Sequence, residues 1–122
     1  MSSIERALSG DALVVALQQE PGAATHMGRL ARTLIKNGPL RATLVTLAPG
    51  GEIPDHHAEG PITVQPLQGQ LRFTALGVTH DIGPGQLLSL GTGVHHALAS
   101  TDGATFLLTV AKVETPAAPQ QP

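Results

Sequence analysis

The sequence contains no cysteine, no tryptophan and no tyrosine, and its two phenylalanines are Phe73 and Phe106. Lack of cysteine excludes disulfides, thiolate metal ligands and a cysteine nucleophile. Seven lysines and arginines are scattered along a chain of net charge −2. A basic face interleaved with stacking aromatics, as nucleic-acid binding requires, cannot be assembled from so little. Nucleic acid is therefore not an expected partner. No apolar run approaches the ~20 residues of a membrane-spanning helix, so no membrane association is expected. Residues 1–10 carry Glu5 and Arg6 and lack the apolar core of a secretory signal. The expected location is the cytoplasm.

What the chain has in quantity is glycine (14) and proline (10). Most of them punctuate short runs rich in β-branched and aliphatic residues, the pattern of a sandwich or barrel of short strands. Strands are expected at 40–47, 52–57, 62–67, 70–76, 78–82, 86–90, 94–99 and 104–113. Apolar residues two apart in Gln70-Leu71-Arg72-Phe73-Thr74-Ala75 fit a strand with one buried face. The run 104–113 is apolar at almost every residue and is expected to be covered on both faces. The glycine turns precede strands and not helices, so they are hairpin turns and not phosphate cradles. Neither a Gly-x-Ser-x-Gly turn nor a Ser-His-Asp order supports a serine hydrolase.

At 122 residues the chain is expected to form one domain that buries roughly two-thirds of its unfolded surface without staples. Residues 1–36 are expected to be a partly helical segment packing on a barrel formed by residues 37–114. Ser3 and Asp11 can cap short helices there, although Leu13-Val14-Val15-Ala16-Leu17 fits a strand equally well. Residues 115–122, with three prolines and two glutamines, are expected to be a disordered tail.

Four of the six histidines stand in two adjacent pairs, His56-His57 and His95-His96. Histidine is the commonest metal ligand and changes charge near neutral pH, so the chemistry is expected where these segments meet. His80, beside Asp81, is expected on a strand surface, and His26 carries no signal. Gln65 and Arg72, on consecutive strands, are candidate pocket or dimer-contact residues.

The spacing around the two pairs resembles that of the cupin superfamily. The family's first motif, G-x5-H-x-H-x3,4-E-x6-G, begins here at Gly50, meets His56 and ends at Gly69. Its second, G-x5-P-x-G-x2-H-x3-N, begins at Gly85, keeps Gly93 and meets His96. The other ligand positions have changed: Ala58 stands for the second histidine and Ile62 for the glutamate. Gly91 and Ser100 replace the proline and asparagine of motif two. The run Gly60-Pro61-Ile62-Thr63-Val64-Gln65 is similar to that of small, single-domain, conserved-barrel cupins (RmlC-like jelly rolls) with degenerate metal motifs. The resemblance implies an all-β, double-stranded β-helix or jelly-roll barrel, after a short N-terminal helical segment, and a homodimer.

Side-chain alternation points His56 and His96 inward and His57 and His95 outward, unless Pro54 or a bulge near Asp55 shifts the register. Glu52 would then share the inward face with His56. Three readings of function follow. In the first, the barrel binds a small molecule, with His56, His96, Ile62, Val64, Phe73 and Leu98 lining the pocket and no assigned activity. In the second, His56 and His96 ligate one divalent ion (Mn, Fe, Ni or Zn) in a dioxygenase or isomerase type of enzyme, joined by His57 and His95 only if the register shifts. Two inward histidines are fewer than the three protein ligands usual at a catalytic zinc. In the third, a metal-free enzyme uses a histidine as general base.

Overall fold

Alternation along LRATLVTL, residues 40–47, sends Val45 and Leu47 to one face and Ala42 and Leu44 to the other, and so on through the chain. In a computed structural model, which describes residues 28–112, every element is a strand: β1 (Arg29–Asn37), β2 (Leu40–Leu47), β3 (Glu52–His56), β4 (Ile62–Gln68), β5 (Leu71–Ala75), β6 (Val78–Ile82), β7 (Leu88–Leu90), β8 (His96–Ala99) and β9 (Ala104–Ala111). They form a five-stranded sheet in the order β1-β2-β9-β4-β7 and a four-stranded sheet in the order β3-β8-β5-β6. All pairings are antiparallel. This is the jelly-roll, double-stranded β-helix arrangement.

The core is the space between the sheets. The larger sheet contributes Val45, Leu47, Ile62, Val64, Ala104 and Phe106, and the smaller one Leu71, Phe73, Ala75, Ile82 and Leu98. A second cluster lies on the outer face of the larger sheet, where Leu44, fully buried, packs with Leu30, Leu34 and Leu67. β9 therefore has apolar residues on both faces because both faces of its sheet carry clusters.

Strand β1 falls, all but Asn37, inside the stretch 1–36 that sequence reading set before the barrel. It pairs along the length of β2, with a register shift between Thr33 and Ile35. That bulge places Leu30, Leu34 and Ile35 off any strict alternation, which conceals the strand in the sequence. The expected helices within 3–19 and the tail at 115–122 lie outside the described residues.

The β5–β6 hairpin turns through Leu76 and Gly77, with φ of 54° and 75°. Both values are left-handed, as the tight two-residue turn of a twisted hairpin demands. Glycine meets that demand freely, and leucine does not.

Candidate functional site

The site begins with a bulge. Ile53 pairs with Leu98 and His56 with His96, so Pro54 and Asp55 together oppose the single residue Ala97. Proline, which cannot donate to the ladder, is well placed in such a step. One consequence is that Ile53 and His56, three apart, share the inner face. Glu52 is turned to the outer face and exposed, not inward beside His56 as regular alternation predicts. The bulge does not carry His57 inward; it is exposed.

The two sequence pairs are thereby exchanged for two spatial pairs. Inside, the His56 and His96 rings lie 4.2 Å apart between centroids, tilted by 58°. Outside, His57 faces His95 at 4.9 Å, and His95 Nδ1 donates to Asp55 Oδ2 at 3.0 Å. Phe73 stacks on His96 with its ring only 9° from parallel and the centroids 5.3 Å apart.

Each inner histidine donates from Nδ1 to the carbonyl two residues before it. His56 donates to Pro54 at 2.9 Å and His96 to Val94 at 3.0 Å. A carbonyl oxygen can only accept, so in its neutral form each ring carries its proton on Nδ1 and keeps the lone pair on Nε2. His96 is 2% exposed. Burial holds its pKa below the usual 6.5, with the positive charge of His56 acting in the same direction and the bond to Val94 and the charge of Asp55 opposing. It is therefore the neutral base at neutral pH.

The remaining motif positions are built for packing. Ile62 is 2% exposed and sits in the core, and Ala58 packs against the same cluster. Ser100 donates to the Gln70 carbonyl at 2.7 Å and is buried. Glu59 is exposed and pairs with Lys112 at 3.3 Å. Among the described residues no group of three or more His, Cys, Asp and Glu side chains is placed to hold a metal ion. His56 and His96 offer two nitrogens, and among the described residues no third ligand stands beside them, so these residues do not fit a complete cupin metal centre.

Of the residues proposed to line a pocket, Ile62, Val64 and Leu98 are packed in the core. Phe73 also borders a cavity of about 280 Å³, with Ala75, Leu76, Val78 and His80 on the β5–β6 side and Leu88 and Leu90 on β7. His80 is exposed on β6 beside Asp81, as expected, and it also borders this cavity. It pairs directly with Phe73, and directly paired residues share a face. The period-2 series Val78, His80, Ile82 could have shown this, because Ile82 is buried. Asp81 and Thr79 take the outer face, near Arg72 (3.9 Å) and Thr74 (3.0 Å) respectively. A larger hollow of about 450 Å³, lined in part by Arg72, Asp81 and Asp102, lies at the opposite end of β8 from His96. Gln65 and Arg72 are both exposed, but β4 and β5 belong to different sheets, so the two residues are not neighbours on one surface.

No protein-family model matches the chain, and no curated protein does. Solved structures do. A conserved protein of unknown function from Streptococcus pyogenes, SPY1581, is 31% identical over 75% of this chain and 80% of its own, with a TM-score of 0.67. A cupin superfamily protein from Desulfitobacterium hafniense is 20% identical over 74% of this chain and 83% of its own, at a TM-score of 0.68. KdgF from Halomonas sp. is 16% identical over 75% and 86%, at 0.65. With its two antiparallel jelly-roll sheets, the chain has the cupin fold. Among the described residues no helix is long and apolar enough to cross a membrane.

Proposed function

We propose that this cupin-fold protein binds a small molecule inside its barrel, with His56 and His96 as the polar handles of an otherwise apolar interior. The observation that carries the reading is the matched pair of Nδ1-to-carbonyl bonds. They lock two adjacent imidazoles with Nε2 free to accept a hydrogen bond, next to the Phe73 ring. An apolar cavity with a few placed polar groups is the usual form of a small-molecule site.

A second reading is supported by the same bonds. Metal-bound histidines donate their other ring N–H to a carbonyl or carboxylate, so the pair is oriented as it would be for a divalent ion such as Mn, Fe, Ni or Zn. Two donors bind weakly, and Ala58 and Ile62 stand where further ligands would, which favours the first reading. A homodimer is proposed alongside, supported by the family resemblance and by the apolar cluster around Leu44 on an outer sheet face. Light scattering would then return twice the 12.5 kDa chain mass.

The test is a thermal-shift screen of small molecules, with elemental analysis of the purified protein. Compounds that raise the Tm of the wild type but not of His56→Ala or His96→Ala support the first reading. If no compound shows that dependence, the reading fails. One metal ion per chain, lost on His96→Ala, would replace it with the second.

A further inference from the structure

Two sheet edges face each other across the 280 Å³ cavity: β6 closes the four-stranded sheet and β7 the five-stranded one. Among the described residues, no strand covers the core at this end. Exposed apolar side chains gather at the same place. Leu76 is 80% and Val78 52% exposed, and both border the cavity, while Leu87, 66% exposed, immediately precedes β7.

Leu76 breaks two local rules at once. It is the sole non-glycine residue with positive φ among the described residues, at 54°, a conformation that penalises a side chain with Cβ. It also presents a large apolar side chain to water. Asparagine before Gly77 would satisfy the same turn without either penalty. Strain and exposure at one position are the mark of a residue kept for contact with something else.

The lining states what that something is. Among the described residues no Asp, Glu, Lys or Arg borders the cavity, so a charged molecule would lose its hydration without gaining a counter-charge there. Phe73, Ala75, Leu88 and Leu90 supply apolar walls, and the His80 ring supplies a hydrogen-bonding group on the same face as Phe73. Edge-strand backbone on β6 and β7 can add others. An apolar cavity of about 150 Å³ accommodates benzene, so this space suits a molecule of about two fused rings.

We propose that the cavity between the β5–β6 hairpin and β7 binds a small, uncharged, mainly apolar molecule with one hydrogen-bonding group, and that Leu76 and Val78 form its rim. This deepens the small-molecule reading and rests on it. It moves the centre of binding from the histidine pair to the far side of Phe73, whose ring touches both. His80 is the polar anchor there, a role the motif histidines do not fill.

6-Propionyl-2-(dimethylamino)naphthalene is a suitable probe, being uncharged, built on two fused rings and equipped with one carbonyl acceptor. The chain has no Trp or Tyr, so its fluorescence is read without protein background. Saturable enhancement is expected with the wild type. Leu76→Asn should weaken it roughly five-fold and Val78→Glu more than ten-fold, from lost apolar contact and an introduced charge. The Tm of Leu76→Asn should equal or exceed that of the wild type, because the strain is relieved. Absence of saturable binding overturns the proposal, as does a Leu76→Asn variant of lower Tm, which would make Leu76 a residue of the fold. Binding that survives both rim changes but is lost with His56→Ala or His96→Ala also overturns it, and leaves the histidine-centred reading standing.

Discussion

The Phe73 ring lies 9° from parallel to the His96 imidazole, 5.3 Å away between centroids. This one contact joins the two parts of the barrel interior. On one side His96 meets His56; on the other Phe73 walls the cavity that includes His80. It also keeps water from the most buried titratable group of the site.

Phe73→Ala is therefore expected to do two things. Removing a fully buried phenylalanine should cost about 3–5 kcal/mol of stability, measured by urea unfolding. Admitting water to His96 should also relieve its burial and move its pKa back up toward the ordinary value. Histidine NMR titration of the variant, if it remains folded, should show that rise; an unmoved His96 would mean that other neighbours desolvate it.

Stability should fall on mild acidification. His96 takes its proton at lower pH in the folded chain than its ordinary 6.5. Just below pH 6.5 the unfolded chain thus binds more protons than the folded one, and unfolding is favoured as the pH drops. The loss should begin near pH 6.5 and level off below the lowered folded pKa, with no contribution from this group at higher pH. Tm measured from pH 8 to pH 5 should show that downturn, and His96→Gln should flatten it.

Restoring the motif ligands should create metal dependence. Ala58→His with Ile62→Glu adds a histidine and a carboxylate beside His56 and His96. Without metal, a carboxylate in the place of the buried Ile62 should destabilise the fold by about 3 kcal/mol or more. Added Ni or Zn should recover much of it and a chelator should reverse the gain, both read as Tm. A double variant indifferent to both would show that the four positions do not converge.

Gly69→Ala should be among the more damaging single-methyl changes. Gly69 has a φ of 76°, and an added Cβ would overlap the carbonyl oxygen of Gly103. A cost of about 2 kcal/mol or more is expected from strain and displaced backbone, measured by urea unfolding. This motif glycine is thus required by the turn, whatever the site binds.

Strands β2 and β6 were legible to the residue, since their turns are marked by glycine and proline and their side chains alternate or flank buried positions. β1 was not, because its bulge removes the alternation that marks a strand. His80 was placed rightly on an exposed strand surface, but its share in the cavity depends on its pairing with Phe73, a strand partner that local sequence does not show. The placement of Glu52 failed at the Pro54–Asp55 bulge, which shifts parity by one residue for everything before it.

Motif spacing alone pointed to the cupin fold, with His56 and His96 at two of the motif's ligand positions and apolar residues at two others. Those are properties of residue identity and separation, which a linear sequence carries in full. Which histidines pair, that Nε2 is the free nitrogen, and that a cavity opens past Leu76 were decided by tertiary structure. They depend on strand partners distant in sequence, such as His56 with His96 and Phe73 with His80, and on register shifts that no single strand reveals.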